Sequence, residues 1–349
     1  MNAYQSDLEE VLKEPLPWEK LSGKNVLITG ATGLIGSCLV DVLMKNDGCN
    51  VYAMGRNAER AWKLFEKYSE SPRFKFLIHN VSDPLDCMNV DFHYIIHAAS
   101  NASPNFFSSK PVEVIKSNVL GVANLMDYGL AHNLERMLYV STGEIYGEGV
   151  GQKFTETDSG YVNCATSRAC YPSSKRAAET LCVSYMQEYD ADVVIARPCH
   201  VYGPHFTESD NRVYAQFIGN VINNEDIVLK SAGLQFRSWC YVVDCVKALL
   251  YILLKGEKGE PYNVADSSSC ITIKELAEMI AEIGGRKVRV EASESKGDTP
   301  IITKAVFDTQ KLESLGWRIT GDMRTKMQNT IEEKYLDGQN NMIRKTVRK

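Results

Sequence analysis

Long apolar runs are missing from this sequence. The best candidate for a membrane span, Val242 to Leu254, is broken by Asp244 and Lys247 and falls short of the roughly 20 residues a spanning helix needs. The ten cysteines include no C-x-x-C pair, which leaves no thioredoxin-type or zinc-ribbon signature. Most lie in apolar surroundings, as Cys38, Cys182 and Cys245 do, and are expected to be reduced core residues. Positive charge is not in excess: a net charge of -5 argues against nucleic acid and for small-molecule partners. The basic cluster Arg344, Lys345, Arg348 and Lys349 is terminal, and 337–349 is read as a flexible tail. Asp7, Glu9 and Glu10 precede any apolar run, so the basic start of a secretory signal is lacking and a cytoplasmic location is expected. His200 and His205 flank Gly203 without a third ligand at metal spacing, and no metal site is expected. Internal repeats, low-complexity segments and Gly/Ser-rich linkers are also absent.

What is present is organised around Asn25 to Gly36. Val26, Leu27 and Ile28 form a short apolar run, and Gly30, Gly33 and Gly36 lead into an amphipathic stretch from Leu34 to Lys45. The first glycine permits a tight turn, the second admits a pyrophosphate to the backbone, and the third lets the helix pack on the strand, with the anion at the positive helix N-terminus. Strand-like runs recur at Val51 to Met54, Phe74 to Ile78, Tyr94 to His97, Met137 to Val140 and Val193 to Ala196. Helical patterns separate them at Ala58 to Tyr68, Val112 to His132 and Ser173 to Tyr189. This alternation predicts an α/β fold, a Rossmann-type doubly wound parallel sheet with helices on both faces. Residues 1–23 read as an amphipathic leader helix, with Leu8, Val11 and Leu12 on one side, and 24–198 as the dinucleotide-binding domain. Beyond Pro198 turn residues cluster, and 199–336 reads mostly as a smaller, interleaved α/β substrate-capping region, with a helix over Ile273 to Ile283.

Tyr171 and Lys175 lie one helical turn apart and project from the same face, with Pro172 suited to the first turn. A tyrosine is a poor base at neutral pH, but a neighbouring ammonium stabilises its phenolate, so the pair is suited to deprotonating an alcohol. The stretch Tyr139-Val140-Ser141-Thr142-Gly143-Glu144-Ile145-Tyr146-Gly147 puts a hydroxyl and a carboxylate at the carboxyl edge of the sheet, where such folds bind ligands.

A glycine turn, a strand-end hydroxyl and a Tyr/Lys helix in this order resemble the extended short-chain dehydrogenase/reductase family, in the branch acting on nucleotide sugars. The resemblance runs from about Lys24 to Leu336. The phrases Ser141 to Gly147, Ser167 to Tyr171, Lys175 to Thr180, Asn211-Arg212-Val213 and Gln235 to Ser238 are most similar to those of UDP-glucuronate decarboxylases. The resemblance implies that Tyr171 is the general base, that Lys175 lowers its pKa and holds the nicotinamide ribose, and that Thr142 bonds the sugar O4. It places Glu144 near C5 and Arg237 on a substrate phosphate or carboxylate, with Arg212, Ser100 and Asn118 as further substrate contacts. It implies NAD held by Gly30, Thr32, Gly33, Leu34, Ile35, Gly36, Arg56, Asn80, Val81, Ala98 and Ala99, together with Tyr171 and Lys175. Oxidation at C4 makes the C5 carboxylate a β-keto acid, which loses carbon dioxide before the hydride returns. A homodimer is implied as well, with Val119, Leu125, Val183 and Met186 at a seam of paired helices.

Plainer readings stand beside these. Glu144 reads also as an exposed loop carboxylate, Arg237 as a surface cation paired with Asp244, and His97 as structural. A 4-epimerase would use the same Tyr171 and Lys175, and a regulatory nucleotide-binding protein would keep the fold without turnover. One departure from the family pattern and one contrast with a related branch matter. The second strand ends in Met54-Gly55-Arg56, with no acidic residue for the ribose hydroxyls, which leaves NADP as an alternative to NAD. Gly143 stands where the related 4,6-dehydratases carry an aspartate that protonates a departing C6 hydroxyl.

Overall fold

The computed structural model describes residues 2–85, 89–149, 153–207, 210–291 and 304–347. Helix α1 (Ala3–Leu12) is capped by the Asn2 side chain, which accepts from the Gln5 N–H. The expected leader helix is cut short, because Pro15 and Pro17 disfavour its continuation and only a 3-10 turn, Trp18–Leu21, follows. Tyr4, Leu8 and Val11 are buried, so this segment is part of the core.

Strands and helices then alternate: β1 (Asn25–Thr29), α2 (Leu34–Lys45), β2 (Asn50–Gly55), α3 (Ala58–Phe65), β3 (Phe74–Ile78), β4 (Tyr94–His97), α4 (Pro104–Ser109), α5 (Pro111–Ala131), β5 (Arg136–Val140), α6 (Cys170–Tyr189) and β6 (Val193–Pro198). The remainder runs β7 (His200–Tyr202), α7 (Val213–Ile222), β8 (Ile227–Leu229), β9 (Phe236–Tyr241), α8 (Val242–Lys255), β10 (Pro261–Val264), β11 (Asp266–Thr272), α9 (Ile273–Ile283), β12 (Val288–Val290), β13 (Lys304–Ala305), α10 (Gln310–Ser314) and α11 (Met323–Val347).

The central sheet has seven parallel strands in the order β10-β6-β5-β4-β1-β2-β3. The order reverses between β1 and β4, so a ligand-binding crevice is expected at their carboxyl ends. Side chains alternate across the sheet: Val26 and Ile28 join the core beneath α2 and α8, while Leu27 joins the opposite core with Ile95, Met137 and Ile195.

Residues after 198 do not all form a cap. The run Val242 to Leu254 is buried on every side, and α8 fills the space against β5 and β6 before β10 adds a seventh strand beside β6. The cap proper is a four-stranded sheet, β11-β9-β13 with β7 on β9, and a small β12-β8 pair. Within the span set aside as a tail, α11 keeps a helical backbone through Val347; no proline interrupts it, and Arg348 and Lys349 lie outside the described residues. Among the described residues no helix is long and apolar enough to cross a membrane.

Candidate active site

The glycine turn joins β1 to α2 at the switch point. Gly30 has φ +68°, and a Cβ there would sit 2.8 Å from the Ala98 carbonyl and the Ala99 Cα, so neither its conformation nor its space suits another residue. At Gly36 a Cβ would come within 2.3 Å of the Gly30 carbonyl oxygen, which is the close helix-to-turn contact expected of the third glycine. Gly33 is the N-cap of α2, and the first-turn N–H groups of that helix, including those of Leu34 and Ile35, have no partner within it. Backbone donors and the helix dipole thus meet at one point.

Above the turn lies a cleft of about 370 Å³. Gly30, Thr32, Gly33, Arg56, Asn80, Val81, Ala98 and Ala99 line it, as the sequence led us to expect. Ser100, expected as a substrate contact, lines it too. Leu34, Ile35 and Gly36 do not line it; Leu34 packs into the core, and these residues can serve through the backbone of the α2 N-terminus. Periodicity carried no signal for the additional lining residues Arg60, His79, Asn101 and Phe106, which only folding brings there. Ser100 Oγ and Asn101 Nδ2 are buried without a hydrogen-bond partner. Unpaired polar atoms beside a glycine cradle fit a polar ligand of dinucleotide size, and NAD fits this donor set.

The chemical groups stand at the ends of β4 and β5 and on the first two turns of α6. Tyr171 is buried, with its ring stacked on Phe107 at 4.8 Å between centroids. Burial pushes its phenol well up, and the Glu144 charge adds to this, while a hydrogen bond with Thr142 and the charges of Arg212 and Arg168 pull the other way. Lys175 is also buried; its Nζ donates to the Val140 carbonyl at 2.8 Å and lies 6.0 Å from the Tyr171 ring centroid. Burial pushes the ammonium down to about 7, opposed by the charge of Glu179. Desolvation is thus the dominant influence on both groups.

Thr142 is the N-cap of a 3-10 turn, and its hydroxyl accepts from the Glu144 N–H at 3.2 Å. Glu144 is not a free loop carboxylate: Arg168 pairs with it at 2.7 Å, and the Arg168 guanidinium lies 4.6 Å from the Phe107 ring centroid. Glu144, Arg168, Phe107 and Tyr171 thus form one connected wall. The neighbouring Ser141 hydroxyl donates to Glu179, which also takes Arg197 at 2.7 Å, so the backbone ahead of Thr142 is anchored by a buried network. His97 shares a 2.7 Å hydrogen bond with Thr29 and is held neutral, down to about 3, by burial and then by Lys175.

The cap contributes arginines. Arg237 bonds the Phe236 carbonyl and feels the Glu144 charge; it does not pair with Asp244, whose carboxylate is buried on Lys326 and Thr320. Arg212 is held by Asp210 at 2.9 Å and its charge reaches Tyr171. Asn118 is fully buried on α5 and donates to Ser174 of α6 at 2.8 Å, while its Oδ1 is buried without a hydrogen-bond partner. Among the described residues no cluster of three or more His, Cys, Asp or Glu is arranged to hold a metal ion.

A parallel sheet with its switch point at β1/β4, a glycine cradle and a buried Tyr/Thr/Lys set define a dinucleotide-dependent enzyme of the extended short-chain type. The chain belongs to the NAD dependent epimerase/dehydratase family, whose profile matches residues 26–265. More particularly, it is similar to UDP-glucuronic acid decarboxylase 6 of Arabidopsis thaliana, 36% identical over 85% of this chain and 84% of that protein. Among solved structures it is similar in fold to a UDP-glucose 4-epimerase from Thermotoga maritima, with TM-score 0.78 and 24% identity over 90% of this chain and 99% of that one. It is also similar in fold to a dTDP-glucose 4,6-dehydratase from Streptomyces venezuelae, with TM-score 0.76 and 23% identity over 88% and 96%.

Proposed function

We propose that this protein decarboxylates UDP-glucuronate to UDP-xylose by transient oxidation at C4. The observation that supports this best is the placing of Thr142, Tyr171 and Lys175 together at the carboxyl end of the sheet, beside the dinucleotide cleft, in a chain 36% identical to a UDP-glucuronic acid decarboxylase. NAD bound in the cleft supplies a hydride acceptor at C4 and a hydride donor at the end of the cycle. Tyr171 takes the proton of the C4 hydroxyl, and Thr142 orients that oxygen through the hydroxyl it already offers to the phenol. The buried Lys175 ammonium faces the same end and stabilises the phenolate when it forms. With a carbonyl at C4 the C5 carboxylate leaves as carbon dioxide, its bonding electrons passing to the C4 oxygen as an enolate, and a proton then returns to C5. Glu144, fixed by Arg168, is the proposed group beside C5, and Arg212 and Arg237 meet the anionic parts of the substrate.

The finer readings belong with this one: a cytoplasmic enzyme, supplying a pentose nucleotide for polysaccharide biosynthesis, that works as a homodimer. The seam needs revision. Leu125 is fully buried inside the subunit, whereas Val112, Ile115 and Leu120 on α5 and Val183 and Tyr189 on α6 are exposed and suit a helix-to-helix contact.

The deciding experiment mixes purified protein, NAD and UDP-glucuronate and follows carbon dioxide and the product sugar. Wild type is expected to release carbon dioxide with UDP-xylose, and Tyr171→Phe to lose about 10²- to 10⁴-fold in rate, the usual contribution of a placed acid–base group. Formation of UDP-galacturonate without carbon dioxide would make it a 4-epimerase. No turnover despite bound dinucleotide would favour a regulatory protein.

A further inference from the structure

Two adjacent phenylalanines on the short helix α4 face different parts of the site. Phe106 lines the dinucleotide cleft, while Phe107 is buried with Val114, Cys170 and Tyr171 in a small apolar cluster of its own. Successive residues of a helix point about 100° apart, so one turn of α4 serves both. The helix is held at its ends. Pro104 takes its first position, where no N–H is needed, and the Lys110 N–H closes the last turn on the Phe106 carbonyl at 2.8 Å. Just ahead of it the Ser103 hydroxyl donates to Asn211 Oδ1 at 2.7 Å, beside Arg212 in the sequence.

The direction of the Tyr171 phenol is not settled by α6 alone. A helix leaves an aromatic side chain two staggered χ1 wells and a broad χ2, so its backbone fixes where the ring starts but not where the oxygen ends or which way its lone pairs face. Thr142 holds the oxygen end by its hydrogen bond. The ring face is held by Phe107, with 4.8 Å between centroids and 24° between planes. Phe107 is supported in turn by Arg168, whose guanidinium lies 4.6 Å from its centroid and pairs with Glu144 at 2.7 Å. A phenylalanine has no atom that can carry a proton, so anything it adds to the chemistry comes through the position of Tyr171.

We propose that Phe107 is a positioning residue for the acid–base step. Its ring selects the Tyr171 rotamer that brings the phenol oxygen to Thr142 and the C4 hydroxyl, and Arg168 keeps that ring in register with Glu144. The inference rests on the reading of Tyr171 as the base and not on the loss of carbon dioxide.

Initial rates with NAD and UDP-glucuronate test it, counting UDP-xylose and UDP-galacturonate together because both need the C4 step. Phe107→Ala should lower kcat by about 10- to 100-fold, the scale of a slightly misplaced catalytic group, while KM and NAD affinity stay within about threefold. Phe107→Tyr keeps the flat ring and should stay within about threefold of wild type, whereas Phe107→Leu refills the space without the flat face and should recover only part of the rate. Deuterium at C4 should slow Phe107→Ala more than wild type, since a misplaced base makes the C4 step the slowest. Phe106→Ala should do the opposite, weakening NAD while kcat at saturating cofactor changes little. Melting curves and NAD titration show that each variant keeps its fold. An unchanged kcat in Phe107→Ala would overturn the proposal, as would full recovery in Phe107→Leu or a loss confined to KM or NAD affinity. If wild type gives only UDP-galacturonate and shows the same dependence on Phe107, the positioning role stands and the decarboxylase reading falls. Wild type that forms neither product would overturn both.

Discussion

Lys175 carries a conflict between stability and chemistry. The proposed mechanism needs its ammonium beside Tyr171, yet burial pushes its ionisation down to about 7, so the folded protein holds this proton more weakly than the unfolded chain does. Below pH 7 the penalty for a buried charge is present in full. It is relieved as pH rises from about 7 toward the ordinary lysine value near 10.4, since over that range only the unfolded chain keeps the proton. Lys175→Met should therefore lose turnover and cofactor affinity but melt at or above the wild-type temperature at pH 6. That advantage should shrink between pH 7 and 10. Melting curves for both proteins across this range check it; an advantage that widened with pH would show that burial does not dominate at this lysine.

At the scale of elements, the turn after β5 decides which chemistry is shut out. A Cβ on Gly143 would lie 2.3 Å from Phe307 Cζ, and Phe307 is itself buried against Tyr146 and Phe154 from beyond the cap sheet. No acidic side chain fits there without moving that ring. Hydroxide is a poor leaving group, and a site without its acid should be slower by about 10²- to 10⁴-fold. Incubation with dTDP-glucose is therefore expected to give no 4-keto-6-deoxy product, read by its absorbance in alkali, even with cofactor saturating. Efficient formation of that product would mean that another acid reaches C6.

For the whole molecule the paired helices α5 and α6 matter most. They pack on each other and on the sheet with one face, and present Ile115, Leu120 and Val183 outward on the other. Exposed apolar side chains on these helices suit the proposed second copy of the chain. Light scattering at micromolar concentration should report about twice the 39.1 kDa chain mass, and Ile115→Glu with Val183→Glu should shift it toward the monomer. A monomeric wild type would contradict the homodimer.

Local patterns were enough to place the strands β1 to β6, the helices α2 and α9, the glycine cradle and the Tyr171/Lys175 pair, because periodicity, turn residues and helical spacing act over a few residues. The composition of the Met54-Gly55-Arg56 strand end likewise announced its lack of a carboxylate. Tertiary structure alone decided the rest. It returned residues 261–264 to the central sheet, brought Arg60 from α3 onto the Thr32 carbonyl, and set Arg168 against Glu144. It also turned Asn118 and Leu125 inward, where helical spacing left their direction open. These outcomes depend on contacts between segments far apart in the chain, and on desolvation, which is a property of everything packed around a group and is written in no short stretch of residues.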